Sequence, residues 1–316
     1  MLMLWAIFPI FASIFYCAGS YIQNYLTDHA LPRKKAGSYV VMHIPCYLVA
    51  MILVLAAFGR AVFMMPIPNI VGLLVAGAIN VLGSMFFYRA LQIGDTIDIN
   101  IFGQTSPLIS LGLGVLMLGE KITATQALAF LFIMAAVIIV MFGSRKKRSG
   151  PPNLKVAIIT LIYTFFSILS DVVYKQFIGN GVADFSLLAQ GFFFFELGSF
   201  LFSAILLICV ESWRDALKRT FFVGKKHPMN MFLSLMDSLT YLIAEVLYKM
   251  GLILAPIVAL VTAVSKAASL FSSFFLALVL AKIFPKQIRS KKFTRKVMMQ
   301  YLFSAVLILV GIVMMN

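Results

Sequence analysis

Residues 231–251 read MFLSLMDSLTYLIAEVLYKMG, and residues 256–280 read PIVALVTAVSKAASLFSSFFLALVL. Each run is mostly apolar and about as long as a bilayer-crossing helix, which needs about 20 such residues. The first carries Asp237, Tyr241 and Glu245 at i, i+4 and i+8, so the three share one stripe of a helix. The second sets Lys266 about ten residues from either end, deep inside any span. A charge near the bilayer centre costs roughly 2.5–3.5 kcal/mol on insertion scales, so such groups face a protein-lined or watery cavity. These two helices therefore imply both a membrane fold and a polar interior.

The whole chain agrees with that reading. Of its 316 residues, 62% are hydrophobic and only 12% charged, about half the charge fraction of a soluble domain; the mean hydropathy is +1.01. It divides into ten apolar runs at 2–26, 39–58, 69–91, 96–118, 124–142, 154–178, 185–210, 230–251, 256–280 and 297–315. The first run begins at Leu2 without a basic region before it or a small-residue cleavage site after it, so helix 1 is expected to stay in the protein. Cys17, Cys46 and Cys209 fall inside apolar runs, where a thiol acts as a small hydrophobe, and neither a disulfide nor a metal site is expected.

The net charge of +15 sits beside the spans. It reports orientation, and no nucleic-acid partner is inferred. The connections 32–37, 144–153, 211–228 and 282–296 carry three, four, five and seven of the 26 Lys and Arg residues. With ten spans these connections share one side, which the positive-inside rule makes cytoplasmic, with both termini extracytoplasmic. The other side has little beyond Arg60, Lys121 and two residues that read as helix ends, Lys175 and Lys249.

The segment SRKKRSGPPN at 144–153 is the best internal boundary, dividing the chain into 1–148 and 149–316 with five spans each. Tyr21-Ile22-Gln23 recurs loosely as Tyr174-Lys175-Gln176, and Tyr88-Arg89 as Tyr248-Lys249. An odd number of spans per half inverts the second half, so the fold class expected is an all-α integral membrane protein of ten transmembrane helices in two inverted five-helix repeats.

Tyr88-Arg89-Ala90-Leu91, Pro107-Leu108-Ile109, then Leu118-Gly119-Glu120-Lys121-Ile122-Thr123 and Gln126, resemble the EamA-like fold of the drug/metabolite transporter superfamily. Gly251, Pro256-Ile257-Val258 and Gly311-Ile312 repeat the pattern more loosely. The second half has Ala281-Lys282 where the first has Gly119-Glu120. The resemblance implies a transporter whose helices 1, 3 and 4 face 6, 8 and 9 across a central cavity. It also implies cytoplasmic termini, against the charge bias.

Ionisable groups at membrane depth mark pathways. The substrate-binding candidates are Lys266, Asp237, Tyr241, Glu245, Asp171, Gln104, Asn80 and Gln23, and the proton-coupling candidates are Glu196, Glu245 and Asp171. Lys266 would hold a carboxylate or phosphate, unless it forms a static pair with Asp237, Glu245 or Asp171. Asp171 and Lys175, four apart with the acid first, have the favourable order for an intrahelical pair, while Lys175 is also long enough to reach the outer surface. Glu196 follows Phe192–Phe195, an apolar setting for a proton carrier. Gln23 belongs to a stripe with Tyr16, Ser20 and Asn24, and Asn80 to one with Ser84 and Tyr88; Gln104, Thr105 and Pro107 interrupt helix 4. Asp95 and Asp98 read as a solvated helix start, and Glu120 as a hinge or cap. No phosphate loop or metal-ligand spacing occurs, and His29, His43 and His227 are scattered.

These residues imply a cofactor-free, non-enzymatic secondary transporter of a small polar metabolite, amino-acid-like or an amine, in an inner or plasma membrane. Its energetics are expected to be proton coupling or exchange. Its partners are a small-molecule substrate and the bilayer; a monomer suffices for the fold and the oligomeric state stays open. The alternatives are a membrane-embedded lipid-handling protein or enzyme, and an exporter of lipophilic cations on the same fold. Deep charges spread over four helices favour transport over interfacial catalysis. A cysteine at Lys291 should react with a membrane-impermeant maleimide only from the cytoplasmic side; labelling from outside intact cells would reverse the orientation.

Overall fold

A computed structural model describes residues 4–29, 40, 43–93, 99, 102–145, 154–179, 185–211, 213–215, 218 and 227–283, with a few positions between 299 and 314. The helices are α1 (Leu4–His29), α2 (Ile44–Phe58), α3 (Ile67–Ile93), α4 (Ser106–Leu118), α5 (Ala124–Arg145), α6 (Leu154–Ile178), α7 (Phe185–Cys209), α8 (His227–Leu254) and α9 (Val258–Ile283). A 3-10 turn, Gly59–Phe63, follows α2, and no strand occurs among the described residues. Six helices are long and apolar enough to cross a membrane over those residues, namely α1, α2 with its turn, α3, α6, α7 and α8. Most of the basic connections, Asp95, Asp98 and Lys291 lie outside the described residues. Of the tenth expected span, Phe303, Ser304, Leu307, Gly311 and Met314 are helical, and Gly311 lies against Ala129 and Ile133 of α5.

Local chemistry explains where the helices stop. The expected span 96–118 breaks at a turn over Gln104 and Thr105, and α4 begins at Ser106 with Pro107 in its first turn. There the missing proline N–H costs nothing, since the first amides of a helix have no intrahelical partner. At the other end Gly119 takes φ 62°, a left-handed conformation that suits glycine. Pro256 falls in the three-residue link between α8 and α9, where a residue without an N–H cannot continue the helix.

Packing pairs each half with the other. α1 lies antiparallel along α8, with Pro9 near Gly251, Tyr16 near Glu245 and Gln23 near Asp237. α3 lies antiparallel along α6: Asn69 Nδ2 donates to the Phe177 carbonyl at 2.9 Å, and Ser170 Oγ to the Ala76 carbonyl at 2.8 Å. α9 runs beside α1, where Ser13 Oγ meets the Ser265 carbonyl at 2.8 Å and Cys17 the Ser269 carbonyl at 3.3 Å. It also packs on α4, where the Ser110 and Thr262 hydroxyls are 2.6 Å apart. α7 fits against α2 and α3. Cys17 and Cys46 are buried as expected, whereas Cys209 is exposed, because it ends α7.

With lipid as apolar as leucine, helices associate through close packing, so small residues mark the seams. At the α3–α7 crossing a Cβ on Gly198 would stand 2.2 Å from the Leu74 carbonyl oxygen, and one on Gly77 2.1 Å from that of Phe195. Backbone atoms cannot step aside. Gly198→Ala should therefore destabilise the protein by about 1–3 kcal/mol, the usual range for overpacking. Gly112→Ala, which meets open space, serves as the control in thermal unfolding in detergent; equal midpoints for the two variants would contradict this seam.

Candidate functional site

The α8 stripe does not end at Glu245. One further turn along it stands Lys249, 1% exposed, and the helix continues to Leu254. Sequence reading assigns Lys249 to a helix end on the outer face, because the apolar run is taken to stop at 251. Instead its ammonium lies 2.7 Å from Asp171 of α6 and 3.3 Å from Glu245. It also stands over the rings of Tyr174 at 4.7 Å and Phe195 at 4.3 Å, close enough for cation–π attraction. Tyr248 donates to the second Asp171 oxygen at 3.1 Å, and Tyr16 of α1 donates to Glu245. One ammonium, two carboxylates and two phenols thus join α1, α6 and α8 at a buried centre.

Two expectations for helix 6 are corrected here. Asp171 does not pair with Lys175, and Lys175 does not reach the outer surface: it is 1% exposed and bound 3.1 Å from Glu120. The two side chains of α6 leave the helix toward different neighbours, Asp171 toward α8 and Lys175 toward the end of α4.

Asp237 is the second centre, on the same α8 stripe about 12 Å from Glu245 at 1.5 Å per residue. Gln23 Nε2 approaches its carboxylate at 3.4 Å and His43 Nε2 at 3.9 Å. Between the centres stands Tyr241, whose hydroxyl accepts from Asn80 Nδ2 at 3.0 Å and whose ring meets Tyr16 and His43 edge-on or tilted. Asp237, Tyr241, Glu245, Gln23, Asn80 and Asp171 are therefore brought together as the sequence suggests. His43 is the residue that sequence reading passes over as scattered. It is buried, stacks on Tyr47 and Tyr88, and shares a 2.9 Å hydrogen bond with the Tyr88 hydroxyl. Its position beside the His43–Pro45 start of α2 gave no periodic signal.

Lys266 forms none of the static pairs considered for it. No described residue makes a hydrogen bond or ion pair with its ammonium, and it is only half-buried in mid-helix. Asp171 and the Cys17 thiol are the groups that act on it electrostatically. Ser110 and Thr262 meet where α4 and α9 pack antiparallel; Ser106 and Lys266 each lie one helical turn along from that contact. Ser106 is 1% exposed and its hydroxyl has no partner; Gln104, also buried, has an unpartnered Oε1 just before it. Gln104 is not joined to the Asp171–Lys249–Glu245 centre. Glu196 on α7 is 2% exposed without a hydrogen bond or ion pair among the described residues, and Glu245 and Lys249 act on it electrostatically.

Apolar helices that bury charge between them rather than at one interface have the architecture of a membrane transporter. Residues 2–142 match the EamA-like transporter family, which places that part of this multi-pass membrane chain in the drug/metabolite transporter superfamily. Members of that family are transporters. A search of curated proteins finds no match. A protein crystal structure, 15% identical, superposes over 98% of this chain and 95% of its own with a TM-score of 0.65, a likeness of fold.

Lys249→Met would leave Asp171 and Glu245 without their cation. Breaking a buried pair from one side costs about 3–5 kcal/mol, whereas neutralising every member is often close to neutral. Thermal unfolding should show a large loss for Lys249→Met and substantial recovery when Asp171→Asn and Glu245→Gln are added. A Lys249→Met variant as stable as the native protein would exclude this charge centre.

Proposed function

We propose that the protein is a secondary active transporter that moves a small zwitterion, such as an amino acid, by alternating access between two inverted five-helix repeats, 1–148 and 149–316. The observation that carries this reading is Lys266, whose ammonium has no hydrogen-bond or ion-pair partner among the described residues. An ammonium at membrane depth is costly unless a partner or water compensates it, and here the partner is the carboxylate of the substrate. Ser106, one turn along α4 from the contact with α9, donates a further hydrogen bond. Across α1 and α6 lie the Asp171, Glu245 and Glu196 carboxylates, which suit the substrate's ammonium. A lipophilic cation would find the carboxylates and aromatic rings but would be repelled by Lys266.

The packing supports the repeat. Exchanging each helix with the one five places on turns the α1–α8 pair into α6–α3, and α1–α9 into α6–α4; all four pairs are in contact. Such internal symmetry lets the same site open to either side by rocking one repeat against the other. Glu196, without a partner, is the leading proton carrier, and Asp171 and Glu245, which share Lys249, are the next. The basic connections lie in the cytoplasm in this reading.

Substituting Lys266→Ala removes a charge-assisted hydrogen bond of about 1.5–3 kcal/mol, so half-saturation for uptake into proteoliposomes should rise roughly 10–100-fold while thermal unfolding stays near native. Unchanged uptake would remove Lys266 from the site. An imposed pH gradient should drive accumulation, and Glu196→Gln should abolish that drive while leaving counterflow; indifference of the native protein to the gradient points to exchange instead.

A further inference from the structure

At one end of the molecule a second ion pair clamps the turn between α8 and α9. Gly119 ends α4 in the left-handed region, and the Glu120 amide returns to the Gly114 carbonyl at 3.2 Å. The left-handed glycine thus turns the chain back over the last turn of the helix. It aims the Glu120 side chain over Gly114, where a Cβ would stand 2.3 Å from its Oε2. From there both carboxylate oxygens accept from the Val258 amide, at 3.0 and 3.1 Å, and one accepts from Lys175 at 3.1 Å. Lys175 in turn donates to the Ala255 carbonyl at 3.0 Å.

Each charge meets the helix end of opposite sign. Val258 is the first residue of α9, where free amides make a positive pole, and it receives the carboxylate; Ala255 follows the last residue of α8, the negative pole, and it receives the ammonium. The pair thus ties α4 and α6, one from each half, to both sides of one turn. The link is one-sided in the sequence, since the place corresponding to Gly119-Glu120 in the other half holds Ala281-Lys282.

We infer that Glu120 and Lys175 are a gate latch: they hold the α8–α9 end of the molecule closed in this conformation and release when that end opens. The inference rests on the alternating-access reading above. Side-chain bonds to helix ends can part without breaking any bond inside a helix, which suits a joint that cycles.

Reporter cysteines test it in a background with Cys17, Cys46 and Cys209 replaced. Ala255→Cys lies at the latch, and Ser234→Cys is a buried position on the early turns of α8, at the opposite end. In detergent, the rate of reaction with a charged maleimide is read at each. Glu120→Gln should raise labelling at Ala255→Cys roughly ten-fold, the equilibrium change that 1.4 kcal/mol represents, and lower it at Ser234→Cys. Gly114→Ala should do the same without altering any charge, because its methyl pushes the Glu120 carboxylate aside; it covers the case in which Glu120→Gln does not fold. Unchanged labelling in both variants overturns the latch. So does a rise at both ends, which marks general loosening.

A double exchange, Glu120→Lys with Lys175→Glu, separates this clamp from an ordinary ion pair. It restores opposite charges but reverses both against the helix poles, so the Ala255→Cys end should stay open. Native labelling in the double variant would overturn the helix-end mechanism. Uptake by the native protein isolates the underlying reading: opposed labelling shifts in a protein that takes up no amino acid would leave the two-ended switch standing and sink the transport reading.

Discussion

A buried carboxylate needs a cation within reach, and in this fold one ammonium, Lys249, serves two of them from different helices. α6 and α8 make most of their contacts elsewhere, α6 along α3 and α8 along α1, and touch each other little. Three polar contacts join these two antiparallel pairs at the centre: Lys249 to Asp171, Tyr248 to Asp171, and Asn80 to Tyr241. Polar contacts cross within each pair too, such as Tyr16 to Glu245 and Ser170 to the Ala76 carbonyl, and the Asp171–Lys249 ion pair crosses between the pairs. In the proposed transporter a path for a polar solute would run there, because opening between the pairs exposes groups that water or a solute can satisfy.

The two buried ion pairs solve the same desolvation problem in different ways. Lys249 is held by side chains, two carboxylates and the faces of two rings, so its neighbours can change partners without disturbing a backbone. Glu120 and Lys175 are instead held partly by main-chain groups at two helix ends, and their positions depend on the Gly119 turn and on the link through Pro256. Moving the first rearranges a site. Moving the second rearranges helices.

Apolar run length and turn residues made the helices legible. The α6 bounds 154–178 match the expected span, and the interruption of helix 4 appears where Gln104, Thr105 and Pro107 suggested it. The stripe through Asp237, Tyr241 and Glu245 was legible too, since helical spacing alone puts them on one face. Partnership was not. Lys175 and Lys249 are both lysines a few residues from a helix end, and local spacing points both toward the surface; only the crossings of α6 with α4 and α8 bring Glu120 and Asp171 to them. His43 escaped for a related reason, because its partners Tyr88 and Asp237 are 45 residues away and further. Long-range pairs leave no period in a sequence.

The distribution of charge follows from this division. Apart from the Glu120–Lys175 pair, the deep carboxylates are Asp171, Glu196, Asp237 and Glu245, and the deep ammonium groups are Lys249 and Lys266. Lys249 is spent on two of the acids, and Lys266 stands apart from all of them. An interior of low dielectric does not hold such an excess of negative charge unaided. In the proposed transporter, protons or the ammonium of a bound solute would supply the balance, and His43 lies beside Asp237. The same imbalance leaves Lys266 wanting an anion. A zwitterion meets both needs at once, which a simple cation or a simple anion does not, and every one of these groups except His43 comes from the second half of the chain. The first half of the chain answers with neutral donors and rings, Gln23, Asn80, Ser106 and Tyr16, so the charge comes from one part of the sequence and much of the space around it from the other.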